Sequence, residues 1–195
     1  MSHVSKIQYI NLGLMDYKKA WEFQRSLQVQ RLDDEIEDHV IFCEHPPVIT
    51  LGRRQKAREN IFSTDLPIYE VERGGDVTYH GPGQLVCYPI LKLKDPDPHH
   101  YLRILEEVVI QLCRVCHVET SRKPNYTGVW TQDGERKIAS IGVALRQGVT
   151  FHGFALNVTI DISGFNVINP CGLPAKVMTS LKREKGFLVE QPLSV

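Results

Sequence analysis

The run from Tyr126 to Val158 leaves a chain like this few choices of fold. Tyr126 to Trp130, Lys137 to Leu145 and Val149 to Val158 are rich in apolar and β-branched residues, with only short polar segments between them. The first break contains Asp133-Gly134 and the second Gln147-Gly148, residue types that accept the left-handed backbone of tight hairpin turns. Strands joined in this way run antiparallel. Further strands are expected at Val40 to Cys43, Val48 to Leu51, Ile68 to Glu72 and Gln84 to Leu91. The last is apolar on both faces, as suits a strand covered on two sides. One helix is expected from about Asp16 to Ile36, with Asp16 as N-cap and Tyr17, Ala20, Trp21 and Leu27 on one face. A second follows Pro96-Asp97-Pro98, with Tyr101, Leu102, Leu105, Val108, Val109, Leu112 and Cys116 at helical spacing. The expected class is α+β, a mixed and largely antiparallel sheet with packed helices, in a single domain over 1–195.

Composition removes several function classes. Lys+Arg and Asp+Glu each total 23 among 195 residues, so there is no basic surplus for general nucleic-acid binding. With 42% hydrophobic residues and no net charge the chain is not of the disordered type. No apolar run reaches the ~18 residues of a membrane span, and no signal-peptide h-region follows Met1, so a cytoplasmic protein is expected. Five cysteines is an odd number, and they are read as reduced thiols. Cys43, Cys87 and Cys116 are expected among aliphatic residues. Cys113-Arg-Val-Cys116-His117 lacks the second ligand pair that structural zinc needs, so no metal is expected.

Two segments could carry chemistry. Arg73-Gly74-Gly75-Asp76-Val77-Thr78-Tyr79-His80-Gly81-Pro82-Gly83-Gln84 combines glycines, which let backbone N–H groups approach a ligand, with polar side chains. It fits neither the P-loop nor the dinucleotide pattern, and a turn-rich hairpin end is the alternative. Asn169-Pro170-Cys171-Gly172 holds a cysteine in a loop, off any apolar stripe, where it could be presented as a nucleophile or be an ordinary thiol. A nucleophilic thiol needs a base or cation beside it, and His45, His80, His152 and Lys137 are candidates. Lys137 heads an apolar strand, where it could instead simply snorkel to solvent. Arg53, Arg54, Lys56 and Arg58 form a cationic run that is either a solvated loop or a docking point for an acidic partner.

The glycine-rich segment resembles the signature of the octanoyltransferase family of lipoate biosynthesis. So do His45-Pro46-Pro47-Val48 through Leu51-Gly52, Arg136-Lys137-Ile138-Ala139-Ser140-Ile141-Gly142, Phe151-His152-Gly153-Phe154-Ala155-Leu156-Asn157 and Ile168-Asn169-Pro170-Cys171-Gly172. The blocks stand in the family's order from about Gly13 to Leu181. The resemblance implies a fold shared with lipoate and biotin protein ligases. It also implies transfer of an octanoyl group from octanoyl-acyl carrier protein to the lysine of a lipoyl domain, with no ATP and no cofactor. The acceptors it implies are the lipoyl domains of 2-oxoacid dehydrogenase complexes and the glycine cleavage H protein. Cys171 would then carry the acyl group as a thioester, and Lys137 would favour the thiolate and move protons. Arg73, Gly74, Gly75, Asp76, Val77, Thr78, Tyr79 and His80 would line the acyl pocket with Ser140, Ile141, Gly142, Gly153, Phe154 and Ala155. The family usually continues into a further amphipathic helix, which the short stretch Gly186 to Val195, containing Pro192, abbreviates or omits. An ATP-dependent lipoate–protein ligase and a non-catalytic module that binds lipoyl domains are the rival readings.

Overall fold

The computed structural model describes residues 6–62 and 64–186. The elements are β1 (Gln8–Leu14), α1 (Tyr17–Leu32), β2 (His39–Glu44), β3 (Val48–Leu51), β4 (Ile68–Glu70), β5 (Val77–His80), β6 (Gln84–Ile90), α2 (Pro98–Val115), β7 (Thr120–Lys123), β8 (Tyr126–Thr131), β9 (Lys137–Arg146), β10 (Val149–Asn157) and α3 (Leu181–Lys185). A seven-stranded sheet has the order β1-β2-β6-β10-β9-β8-β7. Only β1 and β2 pair in parallel within it. A three-stranded sheet, β4-β3-β5, lies apart, with β3 parallel to β4 and antiparallel to β5. The class is the expected one.

The hairpins form where the sequence places them. Gln147 (φ 48°) and Gly148 (φ 82°) are both left-handed, and the turn leaves Arg146 opposite Val149. Alternation along β10 then feeds two cores. Phe154 and Leu156 face α2, with Leu105, Val109 and Cys113, whereas Phe151 and Ala155 face α1, with Ala20 and Leu27. The two helices therefore cover opposite faces of the large sheet.

Asp16 caps α1, its carboxylate accepting the Lys19 amide at 3.1 Å. The helix stops at Leu32 rather than Ile36, because Asp34 turns left-handed (φ 56°) just beyond the cap. Two buried glutamines on its inner face bind it to β10: Gln28 Nε2 donates to Val149 O at 3.2 Å, and Gln24 Oε1 accepts the His152 amide at 3.0 Å. In α2, Asp97 caps the start by accepting the His99 amide at 2.8 Å. The buried stripe is Tyr101, Leu105, Val109 and Cys113, so the expected face is rotated. Val108 is exposed, and Cys116 is the half-buried C-cap rather than a core thiol, with Cys113 filling the core in its place.

β1, β5 and β7 were not expected. β5 lies inside the glycine-rich segment, where closely spaced glycines mask a four-residue strand buried along its length. The C-terminal departure noted in the sequence falls on residues 187–195, outside the described residues; α3 ends at Gly186 (φ 60°).

Glu106 of α2 is 1% exposed. It accepts from Arg103 (2.6 Å), from Arg122 on β7 (3.2 Å) and from the Gly128 amide on β8 (3.1 Å). Losing this carboxylate strands the buried Gly128 amide and takes an ion-pair partner from Arg103, while Arg122 keeps Glu107 at 2.8 Å. Because both arginines are partly exposed, Glu106→Ala should cost about 3 kcal/mol of unfolding free energy by urea denaturation, and Glu106→Gln less. A loss below about 1 kcal/mol for Glu106→Ala would show that the network contributes little.

Candidate active site

Cys171 sits at φ 58°, ψ 29°, a left-handed conformation that an L-residue keeps only when its surroundings impose it. Gly172 is also left-handed (φ 72°), and its amide donates to Asn169 O at 2.9 Å. The loop is held from one side. The Asn169 amide donates to Asn60 O at 2.8 Å, Ile168 bridges Ile61, and the Phe62 amide donates to Val167 O at 2.8 Å. Asn60 is itself fixed, its Nδ2 donating to both oxygens of the buried Asp76 carboxylate at 3.2 and 3.0 Å.

Lys137, 34 residues earlier in the chain, brings its Nζ to 3.7 Å from the Cys171 sulfur. It opens β9 and is only 3% exposed, so it does not snorkel to solvent. Its carbonyl accepts the Thr179 amide at 3.0 Å, and its Nζ lies 5.8 Å from the centre of the Trp130 ring. Gly128 on the neighbouring strand makes the space. A Cβ there would stand 2.6 Å from Lys137 Cε, and φ +121° is a value other residues rarely adopt.

A narrow, mostly apolar cavity opens beside Cys171, between the large sheet, β5 and α1. Of the proposed acyl-pocket residues, all but Gly74 and Tyr79 line it. Within β5, Val77, Thr78 and His80 reach the cavity, while the Tyr79 ring packs edge-on against Phe165 at 5.3 Å on the other side. Gly74 braces the loop, donating its amide to Val143 O at 2.9 Å. A Cβ at Gly142 would lie 3.0 Å from both Arg73 Cδ and Gly74 O, so glycine there lets the loop seat on β9. Tyr17, Val86 and Tyr88 also line the cavity and carried no such signal in the sequence. They come from α1 and β6, and they read there only as ordinary core positions.

The polar groups around the cavity are oriented by one another. The buried Arg73 guanidinium donates to Thr50 O (2.9 Å), Thr50 Oγ1 (3.0 Å) and Gly74 O (3.0 Å). Burial lowers its pKa, partly offset by Tyr17 and Cys171 nearby. Thr50 Oγ1 lies 3.4 Å from His80 Nε2, and His80 Nδ1 donates to Gln84 Oε1 at 2.7 Å. Burial pushes the His80 imidazole down to about 3, helped by His45 and Arg73. His45 donates through Nδ1 to Met15 O and accepts from the Tyr88 hydroxyl, both at 2.7 Å. Burial lowers His45 and His152 as well. Of the candidate partners for the thiol, Lys137 is the one in contact with it. Much of the cationic run is engaged within the chain: Arg54 with Asp76 (3.5 Å), Lys56 with Glu59 (3.8 Å) and Arg58 with Glu70 (2.6 Å).

Residues 16–194 match the family model of the lipoyl protein ligase A/B catalytic domain. An octanoyltransferase of Rubrobacter xylanophilus is 47% identical over 182 residues, covering 89% of this chain and 81% of that protein. An octanoyltransferase of Syntrophotalea carbinolica is 45% identical over 187 residues, covering 95% of this chain and 85% of that protein. Among solved structures, a putative lipoate protein ligase of T. acidophilum superposes with a TM-score of 0.74 at 16% identity, over 96% of this chain and 79% of that one. That last likeness concerns the fold.

The buried histidines give stability a pH dependence of definite sign. His80, His45 and His152 resist protonation in the folded chain but take up protons near the ordinary value of about 6.5 once unfolded. Their contribution is complete above about pH 6.5 and is lost as the pH falls through that value toward the folded one, about 3 for His80. The melting temperature should therefore drop between pH 6.5 and 4.5, and His80→Gln should make that drop shallower. Parallel curves for wild type and variant would contradict the assignment.

Proposed function

The chain belongs to the octanoyltransferase family, and from that premise we propose that Cys171 takes the octanoyl group from octanoyl-acyl carrier protein as a thioester and passes it to the lysine of a lipoyl domain. The observation that carries the reading is the 3.7 Å contact between Lys137 Nζ and Cys171 Sγ at an apolar cavity. The relatives supply the acyl group, since they are octanoyltransferases. The lipoyl domains of 2-oxoacid dehydrogenase complexes and the glycine cleavage H protein are the acceptors in this reading. The chain acts as one catalytic domain over 1–195. No described helix is long and apolar enough to cross a membrane.

Lys137 Nζ is placed to exchange a proton with the Cys171 sulfur across their N–H···S contact. The thiolate attacks the carrier thioester carbonyl, a new carbon–sulfur bond forms, and the carrier sulfur leaves with a proton from Lys137. The acceptor lysine amine then attacks the enzyme thioester. An amide forms, the Cys171 sulfur leaves, and the proton lost by the amine returns to Lys137. The first step exchanges one thioester for another and the second makes a more stable amide, so no ATP is required. Thr78 Oγ1 and the Arg73 guanidinium lie in the cavity wall as polar groups for the acyl carbonyl. Thr78 Oγ1 is buried with no other hydrogen-bond partner.

Cys171→Ala should abolish transfer with the fold intact, while Cys43 and Cys87, buried in the core, should not be able to replace it. Lys137→Ala should slow both alkylation of Cys171 near neutral pH and octanoyl transfer, the latter by about 10²–10⁴-fold. Lys137→Arg keeps a cation that does not release its proton, so alkylation should stay fast while transfer falls. Iodoacetamide reactivity with the same pH dependence in wild type and Lys137→Ala would separate the two residues and remove the mechanism.

A further inference from the structure

β10 departs from its own alternation at His152. Phe154 and Leu156 face α2, and by the same parity His152 belongs with them. Its φ of 57° turns the ring the other way, to stack on Phe151 with centroids 4.7 Å apart. The pairing register does not slip, since His152 stays opposite Val143 and Gly153 opposite Gly142. The ring ends in the cavity wall beside Tyr17 and Tyr88. Its Nε2 is buried with no hydrogen-bond partner and lies 3.6 Å from Glu72 Oε2. That carboxylate is held from behind by Trp21 Nε1 at 3.0 Å. A left-handed residue in mid-strand is costly, and here it puts a polar group on an apolar slot.

The register gives the position of that group along the slot. Ala155 lies opposite Ser140 and His152 opposite Val143, three residues further from the Lys137 end of β9. At the usual strand rise Val143 is roughly 20 Å of main chain from Lys137, which puts His152 toward the end of the cavity away from the Lys137–Cys171 contact. We propose that the His152 ring is the end wall that measures acyl length, stopping the terminal methyl of an octanoyl group carried on Cys171. The proposal rests on the transfer reading above. An apolar slot open at its far end would reward each added methylene by roughly fourfold in affinity. A fixed imidazole with a carboxylate behind it instead makes a longer chain displace the ring or meet a polar surface.

His152→Gly removes the ring and suits the left-handed backbone. Rates of transfer from octanoyl- and decanoyl-acyl carrier protein would be compared in wild type and variant. The ratio of decanoyl to octanoyl kcat/KM should rise at least tenfold, while iodoacetamide alkylation of Cys171 keeps its wild-type rate. His152→Asn, which also tolerates positive φ and carries a smaller side chain, should move the ratio in the same direction if the glycine variant does not fold. An unchanged ratio in a folded variant, with wild type active on octanoyl, overturns the end wall alone. Wild-type protein that acylates Cys171 with neither chain overturns the transfer reading and the end wall together.

Discussion

A lysine ammonium out of reach of solvent needs another group to share its charge. Lys137, 3% exposed, has the Cys171 sulfur at 3.7 Å and the Trp130 ring at 5.8 Å. Most of the surrounding architecture serves this contact. β9 begins at the lysine and fixes its main chain against Thr179. Gly128, tied through its amide to the buried Glu106, leaves the gap through which the side chain runs. The contact thus depends on α2, β8 and β9 together.

The sulfur is held from the opposite direction, and through a different part of the chain. Asn60 joins the two halves of the site: its carbonyl takes the Asn169 amide of the cysteine loop, and its side chain grips Asp76 in the cavity wall. The loop that carries Cys171 and the glycine-rich wall thus both hydrogen-bond to this residue. On the far side, the Arg73–Thr50–His80–Gln84 series fixes polar groups along one wall while β9 and β10 supply an apolar one. A cavity with one polar and one apolar wall can bury a hydrocarbon while orienting a polar group beside it.

The large sheet was legible where hairpin chemistry is local, from Tyr126 to Val158, because Asp133-Gly134 and Gln147-Gly148 set strand direction without reference to the rest of the chain. β5 was hidden by the glycines around it, and β1 by a largely exposed pattern that buries no consistent face. The rotation of α2 reflects tertiary choice: Cys113 and Cys116 suit a helix equally, and the sheet decided between them. The site residues divide in the same way. Spacing in the chain says nothing of a contact across 34 positions, so Lys137 and Cys171 were paired only by family resemblance. Tyr17, Val86 and Tyr88 reach the cavity from α1 and β6, whose periodicity marks them as core and nothing more. The left-handed turn at His152 left no trace, since the run Phe151 to Asn157 reads as a regular strand.

The central claim is that Cys171 carries the acyl group between two proteins. Intact-protein mass spectrometry after mixing the chain with octanoyl-acyl carrier protein, in the absence of ATP, tests it directly. The account predicts one octanoyl adduct that hydroxylamine removes, that Cys171→Ala does not form, and that disappears when a lipoyl domain is added. An enzyme that remains unmodified and acylates the lipoyl domain only when ATP is supplied with free octanoate would contradict it.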